Sequence, residues 1–556
     1  MCAANPSRLW SRSDAINLTT IDIDWKYPRT THRSPVDEMH PSGRLTQNHY
    51  LTSLGKYLRA AALPASAVSA AQQQQGRSHR RTPIMSIPFS PRMTIGAEPV
   101  TTQRQLEVLN PATGEVIGHA PDAGQQELDQ AVASARQAFP AWKATPHSER
   151  QRLLNQFAKK MVEHADELAE LFTLEHGRPL ALAKEEILGS AHWIRGIGQL
   201  QIPVEVVEET DTRRVEVHHD PLGVVCALVP WNFPILLAAW KIAHALATGN
   251  TLVLKPSPFT PLTTLRLGEL SRDILPPGVF NVISGGDHLG PLMTSHPGFA
   301  KISFTGSTAT GKRIMESAAK DLKRITLELG GNDAAIVLPD VDVDEVAMKL
   351  FMGAFFNSGQ VCVACKRLYI HDSIYERLRD KLHELAKTLP IGDGMQPGVL
   401  FGPIQNLPQY RRVLQLRDEA RADGLTLLEG AAVPETGYFM PLTLVDNPPE
   451  DSRVVAEEAF GPILPLLRFS DVDEVIARAN DTEYGLAGAV WSKDVELAVS
   501  IARRLDTGTV WINQNLESSP SVPLGGHKQS GIGVENGVAG LLEFTQPKSI
   551  FIPKSA

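Results

Sequence analysis

The chain has 556 residues, which at about 150 residues per domain leaves room for two to four domains. Hydrophobic residues make up 42% and charged residues 21%, a composition that excludes collagen-like, mostly disordered and multi-span membrane proteins. The net charge of −8 argues against general nucleic-acid binding, because phosphate backbones attract basic surfaces. Four cysteines are too few for a disulfide scaffold, so we expect a reducing, cytoplasmic compartment.

No membrane segment or secretory signal is predicted. The longest apolar stretch, residues 224–240, is shorter than the roughly 20 residues that a bilayer-spanning helix needs, and prolines interrupt it. Residues 1–92 are rich in Ser, Thr, Pro, Arg and Gln without a sustained period, which predicts a disordered extension. Two alternatives stay open for this extension. One is a mitochondrial presequence, which early arginines favour and early aspartates oppose, and the other is a true start at Met85 or Met93.

Regular elements are predicted from about Gln105 onward. Residues 110–118, NPATGEVIG, indicate a turn between two strands. Apolar residues recur at helical spacing over 153–172, which predicts one amphipathic helix. Beyond Pro221, short apolar strands (GVVCALV, TLVLK, VFNVI and KISFT) alternate with helices that begin near Ile235, Pro261, Ser307 and Val343. This order predicts an α/β fold with a parallel sheet covered on both faces.

A second α/β set follows Cys362, with helices near 373–389 and 407–422 and strands in PILPLLRF, AGAVW and GTVWIN. Cys362 itself ends the segment FFNSGQVC and forms a CxxC with Cys365. Four interpretations are open for such a cysteine: a buried hydrophobic residue, a nucleophile, one member of a redox pair, or one ligand of a zinc site. Because no second CxxC or suitably spaced Cys/His pair lies nearby, no metal site is predicted.

Three further segments carry polar groups that suit chemistry. Glu328 ends a predicted strand in LELGGND, where two glycines let the backbone approach a ligand closely. Asn232 lies in the proline-framed turn VPWNFP, from which its amide could bind an oxyanion. FTGSTATG, residues 304–311, is a strand, a turn and a helix start, which suits phosphate at a helix N-terminus. Each segment also has a purely structural interpretation as a strand end, a rigid turn or a helix cap.

Taken together, these motifs resemble the aldehyde dehydrogenase superfamily. The matching stretches, in the order of the family, are PWNFP, LKPSPFTP, FTGSTATG, LELGGND, FFNSGQVC, EEAFGPI, NDTEYGLAG and PLGGHKQSG. The resemblance covers the chain from about residue 105 to its end. It implies a Rossmann-type parallel-sheet cofactor domain, an α/β catalytic domain and a small β oligomerisation arm. The implied boundaries are 93–328 for the cofactor domain with an early segment of the arm, 329–525 for the catalytic domain, and 526–556 for the C-terminal segment and the arm.

The resemblance also implies a reaction and its residues. Cys362 is the expected nucleophile, Asn232 an oxyanion donor, and Glu328 the base that activates water, while Lys241 and Glu535 match a proton route. The coenzyme is expected to be NAD+, with NADP+ as the alternative, at Val229, Pro230, Trp231, Lys255, Ser257, Gly306, Ser307, Glu458 and Phe460. The aldehyde tunnel is expected at Phe233, Leu237, Trp240, Phe356 and Leu524. Because these tunnel residues are all apolar, uncharged aldehydes are the predicted substrates. Cys365 is interpreted as a bystander or a reversible oxidation partner.

Three departures from the family pattern bear on specificity. Pro258 stands where NAD-preferring members usually carry a glutamate, Leu524 replaces a common Phe, and Val534 replaces a common Arg. Three alternatives to a hydrolytic dehydrogenase are weighed. A CoA-acylating enzyme would lack the carboxylate of Glu328, an inactive paralogue would not need the catalytic residues, and a CxxC redox module would depend on Cys365. The C-terminal segment LEFTQPKSIFIPK is expected to form an exposed strand of the arm, which predicts a homodimer or homotetramer.

Overall fold

Two parallel-stranded sheets form the framework of the protein, whose computed structural model describes residues 89–554. The predicted disordered extension thus lies outside the described residues, apart from residues 89–92. Within the described range, no helix combines the length and the apolar character that crossing a bilayer requires. The same residues contain no group of three or more His, Cys, Asp or Glu side chains arranged to hold a metal ion.

The first sheet has eight strands, of which the central five run parallel. All five are short. Four of them are buried along their whole length, and the fifth, Arg324–Glu328, is buried from Thr326 onward, as expected for parallel strands covered by helices. In spatial order the eight strands are Glu98–Val100, Met93–Ile95, Phe280–Val282, Thr251–Lys255, Val224–Leu228, Lys301–Thr305, Arg324–Glu328 and Gly531–Ile532.

The second sheet has seven strands and is parallel except for its first edge strand. In spatial order they are Thr426–Glu429, Thr443–Asp446, Ile463–Phe469, Cys365–His371, Asp333–Val337, Ala487–Trp491 and Thr509–Ile512. The chain leaves the eight-stranded sheet at Glu328 and enters the seven-stranded sheet at Asp333. The segment between them, Leu329 to Asn332, therefore lies at the junction of the two sheets.

Three smaller sheets complete the strands. The three-stranded sheet joins Glu205–Glu209, Arg213–Pro221 and Thr545–Pro553, so that the last strand of the chain pairs with a segment from its middle. Gln105–Leu109 pairs with Val116–Pro121, and the predicted NPATGEVIG turn lies between them. Tyr484–Gly485 pairs with His527–Lys528.

Helices connect and cover the strands. Polar side chains cap several of them; for example, Ser307 accepts a bond from the Thr310 N–H at the start of Thr308–Ala319. The α-helices are Gln125–Ala144, His147–Glu163, Ala165–His176, Leu180–Gln199, Pro234–Ala247, Leu262–Ser271, Leu289–Ser295, Thr308–Ala319, Val343–Phe355, Tyr375–Thr388, Leu407–Ala422, Arg453–Ala456, Val472–Asn480, Val495–Ala502 and Gly537–Leu542, and the 3₁₀ helices are Phe356–Gly359 and Asp372–Ile374.

One predicted helix is divided in two. The apolar spacing over 153–172 predicts a single helix, but His164, with φ −103° and ψ 17°, separates His147–Glu163 from Ala165–His176. Both helices bury the predicted apolar side chains. The apolar spacing continues across the break, because the buried sides of the two helices follow the same pattern. The spacing therefore does not reveal the break, which depends on tertiary packing.

Candidate active site

The segment that carries Cys362 is a tight, left-handed turn. After Val343–Phe355 ends, Asn357 and Ser358 adopt φ values of 52° and 56°, which are uncommon for residues other than glycine. Gly359 has φ 75°, and a Cβ added to it would lie 2.2 Å from the Gly461 carbonyl oxygen. Only glycine fits that position. Strained backbone of this kind is often found at functional sites, and here it directs the chain toward Cys362.

Cys362 lies in the turn that precedes the strand Cys365–His371 and is partly exposed. The ammonium of Lys366 donates to the carbonyl oxygens of Val361 (2.9 Å) and Cys362 (2.5 Å), which holds the turn around one positive charge. Burial raises the pKa of the Cys362 thiol to about 12, and the positive charge of Lys366 opposes that shift. The thiol is thus protonated at neutral pH in this state, and a nucleophilic role requires a base to take its proton.

Asn232 is buried against the same turn. Its side-chain Nδ2 donates to the Gln360 carbonyl oxygen at 3.1 Å, two residues before Cys362. Its own carbonyl oxygen accepts three bonds, from Arg178 Nη2 at 2.8 Å, His176 Nε2 at 3.1 Å and Asn357 Nδ2 at 3.2 Å. Because both ends of Asn232 are held, its amide is fixed beside the cysteine turn.

A buried ion pair supports this arrangement. Arg178 pairs with Glu186, and both side chains are buried. The Glu186 Oε1 also accepts from the N–H groups of Ile235 and Leu236, each at 3.1 Å, in the first turn of Pro234–Ala247. A carboxylate at this position accepts bonds from N–H groups that have no partner within the helix, and its negative charge interacts favourably with the positive end of the helix dipole. Arg178 further donates to Asn357 Oδ1 at 3.2 Å, so one guanidinium connects the Asn232 turn with the Cys362 turn.

Glu328 ends its strand as predicted, and its side chain is buried. Its Oε1 has no hydrogen-bond partner among the described residues. Burial raises the pKa of Glu328 well above the ordinary carboxyl value, and the negative charge of Glu535 adds to the effect, while Lys241 opposes it. Lys241 donates to Glu535 Oε1 at 2.6 Å and to Ser303 Oγ at 3.1 Å, and both partners of the ion pair are fully buried.

Glu458 and Phe460 lie on the other side of the cysteine turn. The Glu458 Oε1 accepts from the Gly331 N–H at 3.1 Å and lies 3.7 Å from Lys366 Nζ. Burial raises the pKa of Glu458, and Lys366 opposes the shift. The rings of Phe460 and Trp231 meet edge to face, with centroids 5.4 Å apart. This contact connects the loop that carries EEAFGP with the loop that carries PWNFP.

The remaining residues matched to the coenzyme lie at the carboxyl ends of parallel strands, the edge at which α/β sheets bind nucleotides. Lys255 ends Thr251–Lys255, and its carbonyl accepts from the Val229 N–H at 3.1 Å. Burial lowers the pKa of Lys255 to about 8. Gly306 and Ser307 connect Lys301–Thr305 to the helix Thr308–Ala319, whose free N–H groups suit a pyrophosphate. Val229 and Pro230 connect the strand Val224–Leu228 to Trp231. In the loop after Lys255, Ser257 Oγ accepts a hydrogen bond from the Phe259 N–H at 3.3 Å. These residues fit a dinucleotide.

The residues matched to the aldehyde tunnel form two aromatic pairs and an aliphatic lining. Phe233 stacks on Phe356 at 6.2 Å between ring centroids, and Trp240 stacks on Trp193 at 6.1 Å. The N–H of Trp240 has no partner among the described residues. The two aliphatic members are Leu237, which is buried, and Leu524, which is partly buried and paired through its backbone with Glu535.

Several residues of the site were not anticipated from the sequence. Arg178, Glu186 and Trp193 precede the first recognisable motif, and their contacts cross up to 343 residues of chain. Gln360 and Gln405 also meet, since the Gln405 N–H donates to Gln360 Oε1 at 2.8 Å. No local signal distinguishes Glu186, because Lys184, Glu185 and Arg195 lie in the same helix.

Comparison with known proteins places this architecture in a family. The family model described as "Aldehyde dehydrogenase family" matches residues 99–550. Aldehyde dehydrogenase LUC3 from a Fusarium species is 42% identical over 83% of this chain and 98% of its own length. Phenylacetaldehyde dehydrogenase from Pseudomonas fluorescens is 40% identical, and the match covers 83% of this chain and 95% of that protein. Succinate-semialdehyde dehydrogenase [NADP(+)] GabD from Escherichia coli is 39% identical, and the match covers 80% of this chain and 94% of that protein.

Solved structures agree with these relatives. The NAD+ complex of aldehyde dehydrogenase from Bacillus cereus superposes with a TM-score of 0.82 at 35% identity, covering 84% of this chain and 98% of the other. The fold and these relatives define the class as an α/β oxidoreductase. The chain belongs to the aldehyde dehydrogenase family, as an NAD(P)-dependent enzyme that oxidises aldehydes.

Proposed function

We propose that the protein oxidises an uncharged aldehyde to the carboxylic acid through a covalent intermediate on Cys362. The Cys362 thiol gives its proton to the Glu328 carboxylate, which passes it toward Lys241 and Glu535 before hydrolysis. The Cys362 sulfur attacks the aldehyde carbon, and the new C–S bond leaves a negative charge on the former carbonyl oxygen. The Asn232 amide and the Cys362 N–H stabilise that oxygen. The coenzyme, when bound, accepts the hydride that leaves the substrate carbon, so that the acyl group remains on sulfur as a thioester.

Glu328 completes the reaction in this proposal. Its carboxylate takes a proton from a water molecule, whose oxygen forms a bond to the acyl carbon while the C–S bond breaks. The products are the carboxylic acid and the free cysteine. Lys241 and Glu535 lie beside Glu328 as the next groups able to hold a proton. A carboxylate with a raised pKa is a stronger base than an ordinary carboxylate, which suits Glu328 to this role.

One observation supports the proposal most strongly: the three segments that carry Cys362, Asn232 and Glu328 pack against one another at the junction of the two sheets. Asn232 donates to Gln360, two residues before the cysteine. A Cβ added to Gly331, three residues after Glu328, would lie 2.9 Å from the Cys362 carbonyl oxygen. The segment that follows the base therefore packs directly on the nucleophile turn.

The coenzyme is proposed to be NAD+, with NADP+ also accepted. The eight-stranded sheet, from residues 93–328, would bind it through Lys255, Gly306 and Ser307. Glu458 and Phe460, from the catalytic domain over 329–525, would contact the nicotinamide side. Pro258 offers neither an acceptor for the ribose hydroxyls nor a charge that repels a 2′-phosphate. The two coenzymes should therefore be discriminated weakly.

The substrate class follows from the lining of the tunnel. Phe233, Leu237, Trp240, Phe356 and Leu524 supply no cation for a carboxylated aldehyde. The aromatic stacks Phe233–Phe356 and Trp240–Trp193 offer faces to aromatic or aliphatic chains. The Pseudomonas relative named for phenylacetaldehyde is consistent with such a pocket.

Assembly and compartment complete the proposal. The three-stranded sheet presents exposed apolar side chains on its outer strands, including Val206, Val207 and Phe551. An exposed apolar strand invites pairing, so we infer that this sheet is an oligomerisation arm of a homodimer or homotetramer. We propose a cytoplasmic location, with which the three unpaired cysteines of the described residues are compatible.

Substitution of Cys362 by serine provides the test. We expect Cys362→Ser to abolish NAD+ reduction with an aldehyde panel while coenzyme binding, followed by fluorescence, stays within a few-fold of wild type. Cys365→Ser is the matched control and should retain turnover. Addition of CoA should change neither rate nor product, since an acyl-CoA product would favour the acylating alternative. Wild-type turnover by Cys362→Ser would reject the proposal.

A further inference from the structure

A set of buried polar side chains lies between two strands of the eight-stranded sheet and has no role in the proposed mechanism. Lys301 and Ser303 are two residues apart on one strand and thus point to the same face. Thr326 is the register partner of Ser303 on the adjacent strand and lies two residues before Glu328. We call Lys301, Ser303 and Thr326 the polar stripe. All three are fully buried, which is costly for a lysine unless the position serves a purpose.

The inner end of the polar stripe contacts the groups beside the base. Ser303 Oγ accepts from Lys241 Nζ at 3.1 Å and donates to Glu535 Oε1 at 3.2 Å. The second oxygen of Glu535, Oε2, has no hydrogen-bond partner among the described residues, and neither has Glu328 Oε1. Two buried carboxylates with an unsatisfied oxygen each are groups that a water molecule would bridge.

The outer end of the polar stripe reaches solvent. Lys301 Nζ donates to Thr326 Oγ1 at 2.6 Å, and Thr326 Oγ1 donates to Glu543 Oε2 at 3.4 Å. The Lys301 ammonium is also 4.0 Å from the same oxygen of Glu543, whose side chain is 31% exposed. Two hydrogen-bonded groups therefore lie next to each other in the sheet. One joins Ser303 to Lys241 and Glu535, and the other joins Lys301 and Thr326 to the surface carboxylate of Glu543.

The charges around Lys301 favour a group that exchanges protons. Burial lowers the pKa of Lys301 to about 8. Glu543 and Glu535 raise that pKa, whereas Lys241 and Arg324 lower it. The Phe544 ring covers the ammonium at 4.7 Å, and His244, stacked on Phe544, is held neutral because burial lowers its pKa to about 4. A lysine with a pKa near neutrality can both hold and release a proton during turnover.

We propose that Lys301, Thr326 and Glu543 form the exit through which the proton taken from the hydrolytic water leaves Glu328 for solvent. The inference rests on the proposed hydrolytic function. For each acyl group released, one O–H bond of water breaks and its proton passes to Glu328. The proton then moves by way of Glu535, Lys241 and Ser303 to the polar stripe and leaves at Glu543, so that Glu328 is free for the next cycle. In this scheme Lys301, Thr326 and Glu543 act through Glu328 and do not touch the substrate.

The test uses Glu543→Gln and Thr326→Val in the full-length protein. Glutamine keeps the shape that packs against Gly533 but cannot take up a proton, and valine keeps the shape of threonine without its hydroxyl. The burst of NADH in the first turnover reports hydride transfer, and the later steady rate reports hydrolysis. We expect both variants to keep the burst within about twofold, while the steady rate falls about tenfold and recovers with increasing concentration of a small buffer. Glu316→Gln, an exposed glutamate on the neighbouring helix, is the matched control and should match wild type.

Other outcomes would overturn the inference. If both variants show the steady rate and pH profile of wild type, the polar stripe is structural. The same conclusion follows if the rate falls together with the melting temperature and buffer gives no recovery. Failure of the proposed function is distinguishable, because in that case Glu328→Gln would show no slowed hydrolysis and Cys362→Ser would keep its burst.

Discussion

At the scale of single residues, Glu328 connects burial with pH dependence. Burial and the nearby charge of Glu535 raise the pKa of its carboxyl well above the ordinary value. A general base acts only when it is unprotonated, so hydrolysis should increase as pH rises through this raised pKa. The higher the pKa, the higher the pH at which the rate reaches its plateau.

We therefore expect wild-type hydrolysis of the thioester to rise as pH increases through the raised pKa of Glu328, and Glu328→Gln to lose that rise. The variant should also accumulate the acyl group on Cys362, which mass spectrometry of the quenched protein detects. Rapid-quench measurement of acyl release at several pH values supplies the profile. An unchanged pH dependence in Glu328→Gln would show that another group is the base.

The buried pair Arg178–Glu186 gives a prediction about stability. Glu186→Gln leaves the guanidinium charge without its carboxylate and weakens the bonds to the first turn of Pro234–Ala247. Loss of one partner of a buried pair costs about 3–5 kcal/mol, and urea denaturation should show a loss of this size. Glu345→Gln is the control, because its partner Lys349 is half exposed, and it should leave the midpoint in place. Equal midpoints for both variants would contradict the assigned role.

A further prediction concerns coenzyme choice, which we propose to depend on Pro258. Pro258→Glu would place a carboxylate in the loop that follows Lys255, where it can bind ribose hydroxyls and repel a 2′-phosphate. We expect kcat/KM with NADP+ to fall about tenfold and that with NAD+ to change little, at matched ionic strength because salt weakens the repulsion. Pro258→Gln, which lacks the charge, is the control. A wild type that already excludes NADP+ would show that another group decides the preference.

At the scale of elements, the sequence predicted the strands well where they are short, apolar and buried on both faces. GVVCALV, TLVLK, VFNVI and KISFT all form strands of the eight-stranded sheet. Such strands are recognisable because helices cover both sides, so that no polar alternation is needed. The motif loops were also found, since PWNFP, LELGGND and FFNSGQVC meet at the junction of the two sheets.

The features that the sequence did not reveal depend on distant contacts. The break at His164 preserves the buried side of both helices, so the apolar spacing alone shows one helix. Arg178 and Glu186 gain their roles from bonds to the turns that carry Asn232 and Asn357, and no local pattern encodes those bonds. Individual side-chain roles at the site remain predictions, because they require the bound substrate and coenzyme.

The strand Thr545–Pro553 gives a prediction about an element. It pairs with all nine residues of Arg213–Pro221, which leaves that strand at the centre of the three-stranded sheet. Deletion of residues 545–556 would expose the edge of Arg213–Pro221 and remove the apolar side chains of the proposed arm. We expect the truncated protein to lose its oligomeric mass in light scattering and to aggregate. Phe551→Ser is the milder control, and a truncated protein with unchanged mass would place the subunit contact elsewhere.

At the scale of the whole molecule, the N-terminal residues provide a further test. Met93–Ile95 is a strand of the eight-stranded sheet, and Phe89 packs against the core with Arg266 6.0 Å from its ring centroid. A protein that starts at Met85 keeps both features and should match the full chain in melting temperature and kcat. A start at Met93 loses Phe89, so we expect activity with a slightly lower melting temperature. Loss of activity on removal of residues 1–84 would show that they contribute to the enzyme.

The pairing of Lys241 with Glu535 joins residues that lie 294 positions apart, and this separation has a consequence for synthesis. At about 5–20 residues per second, a ribosome makes Glu535 roughly 15–60 s after Lys241. Gly531–Ile532, which pairs beside Glu328, emerges equally late. The nascent chain thus carries its thiol long before the surroundings of the base are complete. If Glu535 holds the proton as proposed, we expect a chain interrupted before residue 535 to be inactive.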